Sequence, residues 1–355
     1  MTLGEKEEVT RCQDYVLWTV KRLVPGVNTP LDVLSLRKKI FGLKPDVVHV
    51  HGTWYPYSTL VPLIQRQYPT VLTVHGIIGQ EAGHWEQKNL RSRLASAIGA
   101  INEALVLRRA GDVIIVSPAL ESYIPARDHK HVRYIPNGFD ALNQDFLASK
   151  PDDRHRSDVF FIGRLSRRKG IDVLIKAVPA LKARFPDIRV CVAGSGPLEG
   201  SVRASVRELK LEENVVLLGQ VSEREKYCYL KSARLCAVPS RFEAFGIIIL
   251  EAMACGRPVV ASNVAGIPHV VEDGRNGLLF TPENHEELAE KITCLLSHPE
   301  ALDEMSASCV KTVRDKYLWS GVAGEIDRTY RRLRKRKTAA PAPLAGGSRG
   351  TRRPG

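Results

Sequence analysis

The apolar positions of this chain fall into short unbroken runs, separated by longer stretches of helical period. "PDVVHVHG" (45–52), "PTVLTVHG" (69–76), "GDVIIVSP" (111–118) and "VRYIPNG" (132–138) are β-branched runs, each bounded by glycine or proline. Apolar residues at consecutive positions over that length predict strands buried on both faces. A second series follows: "DVFFIGRLS" (158–166), "IRVCVAG" (188–194), "NVVLLG" (214–219), "RLCAVPS" (234–240), "RPVVAS" (257–262) and "GLLFTP" (277–282). Helical patterns separate the runs, notably at about 86–110. Strand–helix alternation predicts parallel sheets with helices on both faces. The polar, proline-containing "ASKPDDRHRSD" (148–158) divides the two series and predicts a linker. The expected fold class is α/β: two doubly wound, Rossmann-like domains at 1–150 and 151–337 facing across a cleft. In such sheets ligands bind beyond the carboxyl ends of the strands.

Composition narrows the function classes. A length of 355 residues suits two domains, and 44% apolar residues supply two cores. No window has the apolar length of a membrane span. "MTLGEKEEVTR" is acidic where a secretory signal is basic and then apolar, so a cytoplasmic location is expected. Seven scattered cysteines with no C-x-x-C pair predict neither a disulfide framework nor a zinc site. The net charge of +13 is uneven. Residues 331–355 hold nine Lys/Arg and no acid, leaving only +4 for the rest. "YRRLRKRK" predicts the basic end of a helix, and 338–355 a disordered low-complexity tail. Such a tail is either a solvated solubility segment or is attracted to an anionic membrane surface. Nucleic acid is not expected, because no recognition motif or aromatic–basic interleaving accompanies the charge.

Candidate chemistry concentrates in "SRFEAFGIIILEAMACGRPVV" (240–260). Its helix formers end at Gly256, with Pro258 beyond, and the helix should start near Phe245–Gly246. The free N–H groups and dipole there suit an anion, and Gly246 lets it approach the backbone. Glu243 precedes this start and Glu251 lies just over one turn inside it. If the whole segment were helical they would stand roughly 12 Å apart along the axis. Carboxylates repel phosphate, so the pair suits hydroxyls at the two ends of an elongated ligand with phosphates in its middle. A nucleotide sugar has that layout. The plain alternative is one surface and one helix-face carboxylate. "GRLSRRKG" (163–170) adds Arg164, Arg167, Arg168 and Lys169 in one strand-to-helix loop, either a phosphate cradle or a solvated basic loop. His49 and His51 share one strand face with no carboxylate or cysteine nearby, which favours packing or cleft lining over metal binding. "GSGPLEG" (194–200) lacks the full dinucleotide pattern and predicts a tight turn.

"DVVHVHG", "VLTVHG", "YIPNGFD", "GRLSRRKG", "VAGSGPL", "PSRFEAFGIIILEAMACGRPVVAS" and "EDGRNGLLF" occur in that order. The chain from about 40 to 330 thus resembles the retaining glycosyltransferases of family 4 (glycosyl transferases group 1), which have the GT-B fold. The resemblance implies a nucleotide-sugar donor, a hexosyltransferase that retains anomeric configuration, and no required metal or other cofactor. It places Glu251 at the ribose and Glu243 near the donor sugar. Arg164 and Lys169 would neutralise the diphosphate, with Arg168 as a helper. Gly163 and the backbone of Ala244, Phe245, Gly246 and Ile247 would line phosphate and sugar. His75 matches the histidine that meets the donor sugar. The terminal helix, at about 320–335, would cross back onto the N-terminal domain. A role in polysaccharide or glycoconjugate synthesis at the inner face of the membrane would suit such a protein.

The acceptor side is expected at N-terminal loops carrying His51, Trp54, Tyr55 and Trp85, whose aromatic faces suit sugars or lipid headgroups as well as ordinary packing. Relative to the family, the opening strand, its glycine loop and first helix are expected to be absent. Only "YVLWTV" (15–20) has the length and apolarity of a strand there. Two other functions fit the same motifs: another GT-B enzyme such as a nucleotide-sugar epimerase, or a catalytically weak nucleotide-sugar binder.

Overall fold

The computed structural model describes residues 30–53, 57–78, 90–124 and 131–339, preceded by three strands within 2–21. These strands are β1 (Thr2–Gly4), β2 (Glu8–Arg11) and β3 (Val16–Lys21), in the order β1-β3-β2. From Val16 onward the "YVLWTV" run therefore does form a strand, but in a sheet with β1 and β2.

All ten strands expected from the two apolar series form. The N-terminal lobe contains β4 (Val48–His51), β5 (Thr70–Val74), β6 (Asp112–Ile115) and β7 (Val132–Tyr134). They are parallel and lie in sequence order, with β4 at one edge. A sheet that winds one way only is half of a doubly wound sheet. No strand from residues 2–21 pairs with β4 among the described residues.

The C-terminal lobe contains β8 (Ser157–Ile162), β9 (Val190–Ala193), β10 (Val215–Gly219), β11 (Ala233–Val238), β12 (Val259–Ser262) and β13 (Gly277–Phe280). Their order is β10-β9-β8-β11-β12-β13, all parallel, so the winding reverses between β8 and β11. Successive side chains of a strand face opposite sides. Phe161 accordingly packs with Leu174, Val178 and Leu181 of the helix Ile171–Arg184. Phe160 packs on the other side with Leu250 and Met253 of the helix Ile247–Ala254. Burial on both faces explains why these strands read as unbroken apolar runs.

The final helix, Trp319–Ala339, crosses to the N-terminal lobe. Its approach is fixed by Phe139, whose N–H donates to the Tyr317 carbonyl at 2.6 Å and whose carbonyl accepts from the Trp319 N–H at 3.1 Å. Val322 and Leu333 are buried with Val71, Ile114 and Ile135. Arg332 pairs with Asp112, Arg334 lies 3.7 Å from Asp46, and Arg331 lies 2.6 Å from Asp327. Part of the charge that the sequence assigns to a basic tail is therefore spent within this helix and on holding it to the N-terminal lobe. The tail proper, 338–355, lies almost wholly outside the described residues.

No helix among the described residues is long and apolar enough to cross a membrane. The six described cysteines are all free.

Candidate active site

The reversal of winding between β8 and β11 brings two loops side by side. One is 163–170, after β8; the other is 239–246, after β11. Crevices at such a switch point are where open α/β sheets take ligands. The Arg241 N–H donates to the Arg168 carbonyl at 2.8 Å, which ties the loops at the backbone. Gly170 must be glycine at this crossing. Its φ is +66°, and a Cβ there would sit 1.8 Å from the Pro239 carbonyl oxygen.

The helix Ile247–Ala254 begins as the sequence pattern indicates. Gly246 is its N-cap at φ +87°, and no side chain caps the helix. The Ile249 N–H turns back to the Gly246 carbonyl at 2.9 Å, and among the described residues those of Ile247 and Ile248 have no backbone acceptor. Ala244 and Phe245 are buried beneath this turn, whereas Ile247 is exposed. Gly266 supports the turn from below: its N–H donates to the Glu243 carbonyl at 2.9 Å, and a Cβ on it would lie 1.9 Å from the Ala244 oxygen. Gly194, in the "GSGPLEG" turn, backs the other loop. A Cβ there would lie 2.0 Å from the Gly163 oxygen.

Each of the two glutamates has a lysine. Glu243 pairs with Lys169 across the two loops, and both side chains are largely buried. Glu251 accepts from Lys226 Nζ at 2.7 Å. Lys226 comes from the helix Glu223–Ser232 and also holds Glu223 at 2.6 Å. Burial pushes the Glu251 carboxyl above its ordinary range, and Lys226 pulls it partway back. Burial also works against the Lys226 charge, but Glu251 and Glu223 outweigh it and hold its pKa above the ordinary lysine value. Arg164 is exposed, with no side-chain partner among the described residues. Arg168 reaches the Phe242 carbonyl at 3.4 Å.

On the N-terminal lobe, β4 and β5 carry a histidine ladder at their carboxyl ends. His49 stacks on His51 with ring centroids 4.2 Å apart, and His51 stacks on His75 at 5.3 Å. His51 Nδ1 lies 3.0 Å from His75 Nε2. His49 is held by the Tyr330 hydroxyl at 2.5 Å and the Thr73 hydroxyl at 2.7 Å. Burial lowers all three pKa values, that of His49 to about 3. A neutral ladder of this kind can exchange hydrogen bonds with a sugar without placing a cation on it. Trp54, Tyr55 and Trp85 lie outside the described residues. No group of three or more His, Cys, Asp or Glu suited to a metal ion occurs among the described residues.

Residues 4–141 match Glycosyltransferase Family 4, and residues 144–314 match Glycosyl transferases group 1. The chain belongs to this glycosyltransferase family. Among its relatives is a phosphatidyl-myo-inositol mannosyltransferase of Mycobacterium leprae, 32% identical over 292 residues that span 80% of this chain and 73% of that protein. Another is a glycogen synthase of Mycobacterium tuberculosis, 26% identical over 92% of this chain and 78% of that protein. Sucrose-phosphate synthase from Thermosynechococcus elongatus has the same fold, with a TM-score of 0.74 at 23% identity, covering 92% of this chain and 86% of that one. So does Anabaena HepE in complex with UDP-glucose, with a TM-score of 0.68 at 24% identity, covering 86% of this chain and 84% of that one. The fold is thus GT-B.

Sequence reading singled out both glutamates and the basic loop but missed four supports: Lys226, Arg241, Gly194 and Gly266. Lys226 sits in the polar-looking "SEREKYCYL", where nothing marks it as buried. Its one local signal is the capping box of Ser222 and Glu225, which fixes the helix that carries it.

Proposed function

We propose that this glycosyltransferase moves a hexose from a UDP- or GDP-sugar to a hydroxyl of a glycan or lipid-linked acceptor, with retention at the anomeric carbon and without a metal. One observation carries the reading: two carboxylate–lysine pairs, Lys169–Glu243 and Lys226–Glu251, flank the uncapped start of one helix. Glu251 would hold the ribose hydroxyls, and Glu243 the donor sugar. Gly163 and the 244–247 backbone would line the diphosphate between them. In the reaction the bond from sugar C1 to the diphosphate oxygen breaks, and a bond from C1 to the acceptor oxygen forms. The acceptor proton leaves with the nucleoside diphosphate. Charge builds on that leaving group, and Lys169, Arg164 and the helix N–H groups would stabilise it, in the manner of preorganised electrostatic stabilisation. Arg168 assists from the same loop, and His75, steadied by His51, faces the sugar from the other lobe.

For the acceptor we favour a molecule presented at an anionic membrane surface. Support comes from the helix Leu90–Arg109, which exposes Ile98 (58%), Ile101 (71%) and Leu105 (45%) at spacings of three and four residues. Arg108 and Arg109 are exposed at its end, and its acid, Glu103, is buried. An apolar stripe that ends on two exposed cations suits an anionic interface.

The test is incubation with UDP-, GDP- and ADP-sugars and candidate acceptors, with and without EDTA. Mass spectrometry would detect the product, and NMR the anomeric configuration. A transferred sugar with retained configuration supports the reading. Epimerised donor without transfer, or inversion, rejects it.

A further inference from the structure

We infer that Arg241 is a positioning residue, locking the basic turn 167–169 onto the turn that carries Glu243; this rests on the donor-site reading above. Its side chain is only 6% exposed, although it lies beside a loop of three consecutive cations. All five of its N–H donors are used. Nε and Nη2 donate to Glu283 at 2.5 and 2.7 Å. Nη1 and Nη2 donate to Asp172 at 2.7 Å each, and Nη1 also reaches the Arg167 carbonyl at 2.6 Å. Guanidinium has five donors and no more, so nothing remains for a ligand phosphate. Arg241 therefore differs from Arg164, which is exposed. Its task is to hold other groups.

What it holds is the geometry of the diphosphate site. Its side chain fixes the Arg167 carbonyl and its backbone N–H fixes that of Arg168, so the turn leading to Lys169 is pinned from one residue. Two residues further along, Glu243 receives Lys169. Asp172 opens the helix that follows the basic turn, so the same guanidinium also sets where that helix begins. Glu283 adds a sign of tension. It is a non-glycine residue at φ +69°, a conformation that persists where surrounding contacts over-determine it. The two bonds to Arg241 are such contacts. Arg241 also neutralises two carboxylates that would otherwise stand beside an anion-binding loop. Lysine could supply the charge but not the fork, because it carries three donors on one atom.

The experiment compares Arg241→Lys, Arg241→Gln and Asp172→Asn with the unaltered chain. Calorimetry measures binding of UDP against uridine and of GDP against guanosine, with urea unfolding alongside. The unaltered chain should prefer one diphosphate over its nucleoside. Arg241→Lys should lose roughly ten- to a hundredfold of that preference, the scale of a misplaced group. Affinity for the nucleoside alone, which rests on Lys226 and Glu251, should stay unchanged. A merely structural arginine would lower stability and leave the ratio alone. An intact preference in Arg241→Lys, with the unaltered chain showing one, overturns this inference by itself. An unaltered chain with no preference overturns the donor reading and this inference together. If Arg241→Gln does not fold, Arg241→Lys and the milder Asp172→Asn still decide the matter.

Discussion

Lys226 Nζ lies 2.7 Å from Glu251 Oε1, a contact between two helices that joins residues 25 positions apart in sequence. Both side chains are largely buried. Removing one partner strands the other in a poorly solvated place. Glu251→Ala should weaken nucleoside diphosphate binding by about 1.5–3 kcal/mol, the cost of a lost contact to a charged group. Lys226→Met should act differently. Glu251 already titrates above the ordinary carboxylate range because it is buried, and Lys226 pulls it down. Without the lysine its pKa rises further, so nucleotide affinity should fall with falling pH at values where the unaltered chain is insensitive. Calorimetry across pH checks this. Equal pH profiles would reject the assignment.

In the proposed function Glu243 and Lys169 act at the other end of the ligand. Glu243→Gln should cut turnover while leaving nucleoside diphosphate affinity nearly unchanged. Lys169→Ala and Arg164→Ala should each slow transfer by about a hundredfold, the usual scale for one preorganised donor. Transfer should survive EDTA, since in the proposed function these cations take the part a metal takes elsewhere. Activity abolished by chelation and restored by magnesium or manganese would sink this proposal.

Much of this site was legible because its parts lie close together in sequence. Glu243, Gly246 and Glu251 sit on one loop and one helix, and Arg164 to Lys169 on another. The strands were legible because burial on both faces leaves a run such as "VVHV" or "DVFFI" with few polar interruptions. The partners were not legible. Lys226 and Arg241 look like ordinary surface cations, and only the strand order β8-β11-β12 brings them to Glu251 and to the 167–169 turn. The same holds for Tyr330 on His49, 281 residues apart. The N-terminal 21 residues were the hardest to read. Of their strands only β3 carries several apolar side chains, Val16, Leu17, Trp18 and Val20; β1 and β2 are three and four residues long with one such side chain each, Leu3 and Val9.

Gly266 tests how tightly the 243–246 turn is built. A methyl group there would lie 1.9 Å from the Ala244 oxygen and 2.5 Å from its carbonyl carbon. Backbone cannot rotate away as a flexible side chain can. Gly266→Ala should therefore push the 243–246 turn outward, costing about 1–3 kcal/mol of stability as overpacking does. Nucleoside diphosphate affinity should fall with it. A variant that binds normally would mean that the turn has slack.

The membrane proposal rests on the helix Leu90–Arg109. Ile98→Asp with Ile101→Asp should reduce pelleting with vesicles rich in anionic phospholipid and leave activity on a soluble acceptor intact. Binding of the unaltered chain should weaken with added salt, because screening shortens the reach of Arg108 and Arg109. Vesicle binding that ignores salt, lipid charge and both substitutions would remove this surface from consideration.

The histidine ladder makes stability depend on pH with a definite sign. His49 is drawn from 6.5 to about 3, first by burial and then by His51 and His75. His51 and His75 are lowered too, again chiefly by burial. As pH falls below 6.5 the unfolded chain takes protons at these positions while the folded chain does not. Stability is therefore fully present above the unfolded value and is lost progressively toward the folded one. His49→Gln, neutral throughout, should be less stable than the unaltered chain at about pH 7.5, since it disturbs the contacts to Tyr330 and Thr73. That gap should shrink by about pH 5, because only the unaltered chain bears the proton penalty. Carboxylates titrate in both proteins and cancel in the difference. Urea unfolding of the pair at the two pH values gives the answer directly. A gap of constant size would show that His49 titrates normally, and that the crossing helix does not shield it as the Tyr330 contact indicates.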